Sequence, residues 1–190
     1  MRDFEIKFWN DFEQLYNMTK KMYIKSEEYD DDFCSIMQPI KEQRDALDHI
    51  VRSYSRLVRL EAHKLTDKQE QENLESIQRN FQKALGHVYR AFYDTADILT
   101  IILRKHISDY LASFTYCSCW SDYEHNRREL IEISKSIANL RAEKEIKSNQ
   151  KDQQKIFDEY DRILDFLFNT LDYVSGDLYM SLSQKYTPDP

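Results

Sequence analysis

The chain has 190 residues, a net charge of −7, 41% hydrophobic and 32% charged residues, and only two glycines and three prolines. Folds built on β-sheets need many tight turns, and those turns draw on Gly for positive φ and on Pro for fixed φ. The composition therefore excludes β-rich and α/β folds and predicts an all-α antiparallel bundle of four to five long helices, polar outside and apolar within. One domain over residues 1–190, with a frayed tail over 185–190, fits the length, and its core needs neither disulfide nor metal. The acidic balance argues against a protein that coats nucleic acid through its overall field and leaves room for a local basic patch. Cys34, Cys117 and Cys119 are odd in number and do not form a disulfide framework. The N-terminus MRDFEIKFWNDFEQ is charged throughout, so no signal peptide is expected. The most apolar run, Ala96 to Leu103, is broken by Asp97 and is too short to span a membrane. A cytoplasmic protein without membrane association is expected.

The first helix is predicted from Asp3 to Glu28, with Phe4, Phe8, Phe12, Leu15, Met18 and Met22 at the amphipathic period. Trp9, Tyr16 and Tyr23 widen the stripe, so this helix should pack across two neighbours or across a dimer partner. The second helix is predicted to open near Pro39 and run to about Leu65, burying Ile40, Leu47, Val51, Tyr54 and Val58. Thr66-Asp67 offers an N-cap to the third helix, with Glu70 as capping-box partner. That helix should run from Lys68 towards Phe114 and occupy the centre of the bundle. Its stretch from Phe92 to Leu103 is apolar on nearly every side. Gly86 would kink it or allow a close approach.

The segment Thr115 to Asp122 reads as a loop, and Ser121 with Glu124 as a capping box for a fourth helix. Leu130, Ile133, Ile137 and Leu140 give that helix its stripe. Arg141 to Asp152 is almost wholly polar and forms a turn or a projecting end. A fifth helix buries Ile156, Tyr160, Ile163, Leu167, Leu171, Val174 and Leu178. No repeat or low-complexity linker divides the chain.

The segment Glu42-Gln43-Arg44-Asp45-Ala46-Leu47-Asp48-His49 carries the sharpest chemistry. Arg44, four residues and His49, with a polar residue after the arginine, resemble the R-x4–6-H motif of the HEPN superfamily. The resemblance implies a small all-helical, metal-independent endoribonuclease of a prokaryotic toxin or defence system. It also implies a homodimer whose shared cleft holds both motif residues, RNA as substrate, and an antitoxin or defence component as protein partner. His49 would be the acid/base, Arg44 the phosphate clamp and Asp45 an orienting group, with no cofactor and no metal. The residue types suit that reaction: imidazole shuttles protons near neutral pH, and guanidinium binds phosphate oxygens bidentately.

Five residues on a straight helix subtend about 140°. Arg44 then falls on the apolar stripe and His49 on the opposite, polar face. They converge only if the helix begins late, bends or meets a partner subunit. The alternative is an ordinary helix in which Arg44 snorkels to a carboxylate and His49 is solvated, in a non-catalytic dimeric scaffold. Arg52, Arg56 and Arg59, with His63, extend a basic stripe along the same helix. Such a stripe follows an RNA backbone, pairs with acidic residues of a neighbour, or is simply wet.

On the third helix, His87, Arg90, Asp94 and Asp97 lie near the most apolar stretch. A buried carboxylate there needs a partner: Arg44, a core tyrosine hydroxyl, or a polar pocket shared with Arg44 and His49. Cys117, Cys119 and His125, with Cys34, lack zinc spacing, since C-x-C is tighter than structural sites use. The cysteines read as small buried residues. No Glu-x-x-His pair, Gly-rich phosphate loop or G-x-S-x-G elbow occurs, which disfavours di-iron, nucleotide-phosphate and serine-hydrolase chemistry.

Overall fold

The computed structural model describes residues 2–29, 37–62, 65–113, 120–146 and 150–176. These form five helices: α1 (Asp3–Tyr29), α2 (Met37–Ala62), α3 (Asp67–Ser113), α4 (Trp120–Ile146) and α5 (Gln150–Ser175). No strand occurs among the described residues, as the scarcity of glycine and proline predicts. No described helix is long and apolar enough to cross a membrane. The chain divides into two compact units, Met1–Thr95 and Ala96–Pro190. The division falls inside the unbroken α3, where no glycine, proline or shift of composition marks it. That is why the chain reads as one domain from sequence.

In the first unit, α1 lies across both of its neighbours, the first of the two arrangements expected. Phe8 stacks on Phe81 of α3 with ring centroids 4.2 Å apart, and Trp9 Nε1 donates to Tyr54 Oη of α2 at 2.7 Å. Phe8, Leu15 and Met22, seven residues apart, form its buried spine.

The α2 stripe is not the expected one. Pro39, Glu42, Ala46, Ile50, Ser53 and Leu57 are buried, while Ile40, Leu47, Val51 and Val58 face water. The apolar arc of α2 is wider than the packing within this unit covers, and its inward half carries the small Ala46 and Ser53 beside Ile50 and Leu57. Ala46 and Ser53 of α2 are buried, as are Ala84 and Ala91 of α3. Small residues let helix backbones approach, and Ser53 Oγ lies 3.4 Å from the Ile77 carbonyl of α3. His49 bonds Asn80 and Glu42 bonds His87, so residue numbers rise on α2 as they fall on α3. The two helices are antiparallel.

Thr66 caps the α3 N-terminus, as expected, but its capping-box partner is Gln69 and not Glu70. Thr66 Oγ1 accepts from the Gln69 amide at 3.4 Å, and Gln69 Oε1 accepts from the Thr66 amide at 3.1 Å. This is a capping box with glutamine at its third position. Gly86 supports no close helix contact, because a Cβ there would meet nothing nearer than Arg90 Nη1 at 3.9 Å. α3 continues through it without interruption.

In the second unit, α5 buries Ile156, Tyr160, Ile163, Leu167, Leu171 and Val174, as its period predicts; Leu178 lies outside the described residues. Leu130, Ile137 and Leu140 of α4 are buried too. Of the two α3 aspartates singled out, Asp97 is buried, and it is bonded to a core tyrosine. Tyr160 Oη donates to Asp97 Oδ1 at 2.5 Å, and Arg141 Nε lies 3.0 Å from the same oxygen. Two turns along α3, Arg104 Nη1 donates to Ser134 Oγ at 2.7 Å. These rungs make α3 and α4 antiparallel.

The Asp97 contacts differ in what they lose when broken. Tyr160 has no exposed surface, so an orphaned hydroxyl cannot recover a bond to water, whereas Arg141 is partly exposed and can. Asp97→Ala is expected to lose about 2–4 kcal/mol. Asp97→Asn, which keeps an acceptor for Tyr160, should lose clearly less. Urea unfolding of the three proteins measures this, and equal losses would move the cost from the tyrosine to the Arg141 charge.

Candidate functional site

The α2–α3 contact interrupts its own apolar packing with polar side chains seven residues apart. Glu42 and His49 stand on α2, and Asn80 and His87 on α3. A seven-residue step returns to nearly the same helix face. In antiparallel helices such pairs meet rung by rung.

His49 Nδ1 lies 2.9 Å from Asn80 Oδ1. The Asn80 amide nitrogen donates to the Ser76 carbonyl at 2.8 Å, which turns the amide oxygen towards the imidazole. His49 Nδ1 is therefore the N–H donor, and its basic lone pair is on Nε2 in the neutral ring. His87 Nδ1 lies 2.8 Å from Glu42 Oε2, and a carboxylate can only accept, so the same tautomer is set there. The two rings stack with centroids 5.3 Å apart and planes 24° from parallel. Neither Nε2 has a hydrogen-bond partner among the described residues.

Glu42 also accepts from Arg90 Nε at 2.8 Å. Arg90 Nη2 lies 2.7 Å from His87 Nδ1. One nitrogen cannot donate to Glu42 and accept from Arg90 at once, so these contacts are alternatives that a shift of the guanidinium exchanges. Burial pushes the Glu42 carboxyl up, but the hydrogen bonds and charges of Arg90 and His87 outweigh burial and hold it below its ordinary 4.5. Glu42 is thus the ionised anchor of the cluster.

The residues singled out from sequence separate. His49 belongs to the cluster, half-buried against α3 rather than solvated. Arg44 does not reach it: the guanidinium is 70% exposed and bonds Asp45 Oδ1 at 2.8 Å. It stands among the exposed aliphatic residues, as the 140° step requires. Asp45 lies between the two. The Arg44 hydrogen bond holds its carboxyl below the usual carboxylate range, and the charges of Arg44, His87 and Lys41 add to that. Arg52 is exposed and pairs with Asp48 at 2.7 Å. Arg56 and Arg59 are exposed and have no ion-pair partner among the described residues. His63 lies outside the described residues, as do Cys34, Cys117 and Cys119, and the Ser121 side chain is not described. His125 is exposed beside Glu129, 3.4 Å away. Asp97 and its partners belong to the second unit and take no part here.

Glu42, Asn80, His87 and Arg90 are the members that a motif search does not single out. Their signal was spacing: polar residues seven apart on two adjacent helices. Among the described residues no three His, Cys, Asp or Glu side chains are grouped to hold a metal ion.

The lowered Glu42 carboxyl carries a pH signature. A folded-state value below the unfolded one stabilises the fold above the unfolded value and ceases to do so as pH falls through the folded value. Glu42→Gln should destabilise the protein by about 1–2 kcal/mol at pH 7. The gap to wild type should hold down to about pH 4.5 and close below it. Thermal unfolding from pH 3 to 7 follows it, and a gap constant across that range would show that the carboxylate charge has no part in the cluster. No family model, no curated protein and no solved structure matches the chain.

Proposed function

We propose that the chain is a metal-independent endoribonuclease of the kind the R-x4-H resemblance implies, with its reacting groups at the α2–α3 cluster. The observation that carries this reading is the stacked His49–His87 pair, each ring tied at Nδ1 and open at Nε2. Cleaving an RNA strand without a metal needs one group to take a proton and a second to return one. Two imidazoles side by side supply both. His49, tied to a neutral amide, is the base that removes the 2′-hydroxyl proton. The 2′-oxygen then bonds to the adjacent phosphorus as the P–O5′ bond breaks. His87, backed by the Glu42 carboxylate that supports an imidazolium, delivers a proton to the leaving 5′-oxygen. The products are a 2′,3′-cyclic phosphate and a 5′-hydroxyl.

Arg90 stands beside both histidine and carboxylate and would balance charge on the phosphorane-like transition state. Arg52, Arg56 and Arg59 are placed along α2 to hold flanking phosphates. Arg44, away from the cluster, would bind substrate or a partner rather than the reacting phosphate. The resemblance adds a setting in a prokaryotic toxin or defence system, with an antitoxin or defence component as partner. The second reading, a non-catalytic interaction module, draws on the exposed aliphatic face of α2.

A mixed fluorescent RNA pool in EDTA separates the two readings. Wild type should cleave it and leave cyclic-phosphate ends. His49→Ala and His87→Ala should each reduce the rate by about 10²–10⁴-fold when assayed well below their melting temperatures, which the lost part-buried hydrogen bonds lower modestly. RNA lacking 2′-hydroxyls should be inert. Absence of cleavage by wild type, or equal cleavage by all three proteins, leaves the interaction module. A loss in Arg44→Ala as large as in His87→Ala, with Arg90→Ala active, would return the phosphate clamp to Arg44.

A further inference from the structure

The α3–α4 contact of the second unit sets two arginines against one carboxylate. Arg141 Nε lies 3.0 Å from Asp97 Oδ1. Arg104 has only neutral partners: its Nε donates to the Thr100 carbonyl at 3.2 Å and its Nη1 to Ser134 Oγ at 2.7 Å. It is half-buried, and no carboxylate pairs with it among the described residues. A cation withdrawn from water is ordinarily paired. Burial, and then the positive charge of Arg141, hold the Arg104 guanidinium below its ordinary range. The second cause puts the two guanidiniums within each other's field.

The backbone fixes this proximity. Asp97, which holds Arg141, and Thr100, which holds Arg104, are three residues apart on one side of α3, a rise of about 4.5 Å. The 97–141 and 104–134 rungs share one antiparallel register. In it Ala138 of α4 stands opposite Thr100, exposed and with a single methyl as its side chain. That position of α4 therefore adds no bulk between the two arginines. Arg104 Nη2 and both terminal nitrogens of Arg141 take no partner among the described residues.

We infer that this groove binds a phosphate group, free or as a monoester, between Arg104 and Arg141. The donors select the ligand. A carboxylate is planar and is satisfied by one guanidinium fork. Two guanidiniums carried on different helices present separate sets of N–H groups, and a tetrahedral anion offers oxygens to both. The charge agrees, since two cations face one carboxylate and a bound anion offsets the excess. It also screens the repulsion between Arg104 and Arg141. The site belongs to the second unit, whereas His49, His87 and Arg90 belong to the first, and it does not rest on the ribonuclease reading.

Calorimetric titration of the full chain at low ionic strength tests the site, with inorganic phosphate and adenosine monophosphate as separate probes and acetate as the control. Wild type should saturate with at least one phosphate probe and bind acetate at least tenfold more weakly. Arg104→Gln should weaken phosphate binding at least tenfold. Ala138→Glu alters only an exposed position and brings a carboxylate between the arginines, so it should abolish phosphate binding with the melting temperature held. His87→Ala should bind as wild type does. Saturation by either probe with this pattern bears the site out, and the tighter probe shows whether the phosphate is taken free or as a monoester. No saturation by either probe up to about 20 mM, binding that survives both Arg104→Gln and Ala138→Glu, or binding lost in His87→Ala overturns it.

Discussion

Backbone proximity between α2 and α3 is the constraint on which the first unit depends. Ala46 and Ser53 of α2 and Ala84 and Ala91 of α3 are buried, and Ser53 reaches a carbonyl of the opposing helix. Only small side chains permit this. Once the helices are that close and antiparallel, Glu42 must face His87 and His49 must face Asn80. Larger residues at 46 or 84 would hold the helices apart and leave Glu42 buried without the cations that keep it ionised. The apolar contact and the polar cluster are therefore one arrangement.

The same choice explains what α2 shows to water. Its apolar residues cover more of the helix than one neighbour can occlude. Ile50 and Leu57 turn inward with Ala46 and Ser53, and Ile40, Leu47, Val51 and Val58 are left over. In a monomer that is a cost in exposed apolar surface.

The fold class was fully legible in the sequence, because a chain with two glycines has few structures open to it. Helix positions followed from the 3.6 period, and the α5 core from Ile156 to Val174 was read residue by residue. The α2 face was not. A search for large apolar side chains at helical spacing finds Ile40, Leu47, Val51 and Val58 first, and it ranks Ala46 and Ser53 as neutral. Ile50 and Leu57 obey the rule that large apolar residues face inward, but the inward arc is centred on the small residues, and the other large ones turn out. The division within α3 left no trace because a continuous helix needs no change of composition to pass from one packing environment to another. Of the candidate site, His49 was legible from the motif. His87 and Arg90 stood out only as polar residues beside the apolar stretch of α3, and their pairing with Glu42, like that of Asn80 with His49, gains meaning only when two helices are aligned in register.

The R-x4-H spacing itself carries a geometric consequence. On an unbroken helix, residues five apart cannot share a cluster, whereas residues three, four or seven apart can. Glu42 and His49 satisfy that condition, and Asn80 and His87 satisfy it on the opposing helix. Arg44 does not, and it lies on the aliphatic face. One link joins the two faces: Asp45, bonded to Arg44 on one side and within the field of His87 on the other. The R-x4-H pair therefore divides between the two faces of one helix, and the residues that His49 meets are set by the seven-residue register of α2 against α3 rather than by the motif's own spacing.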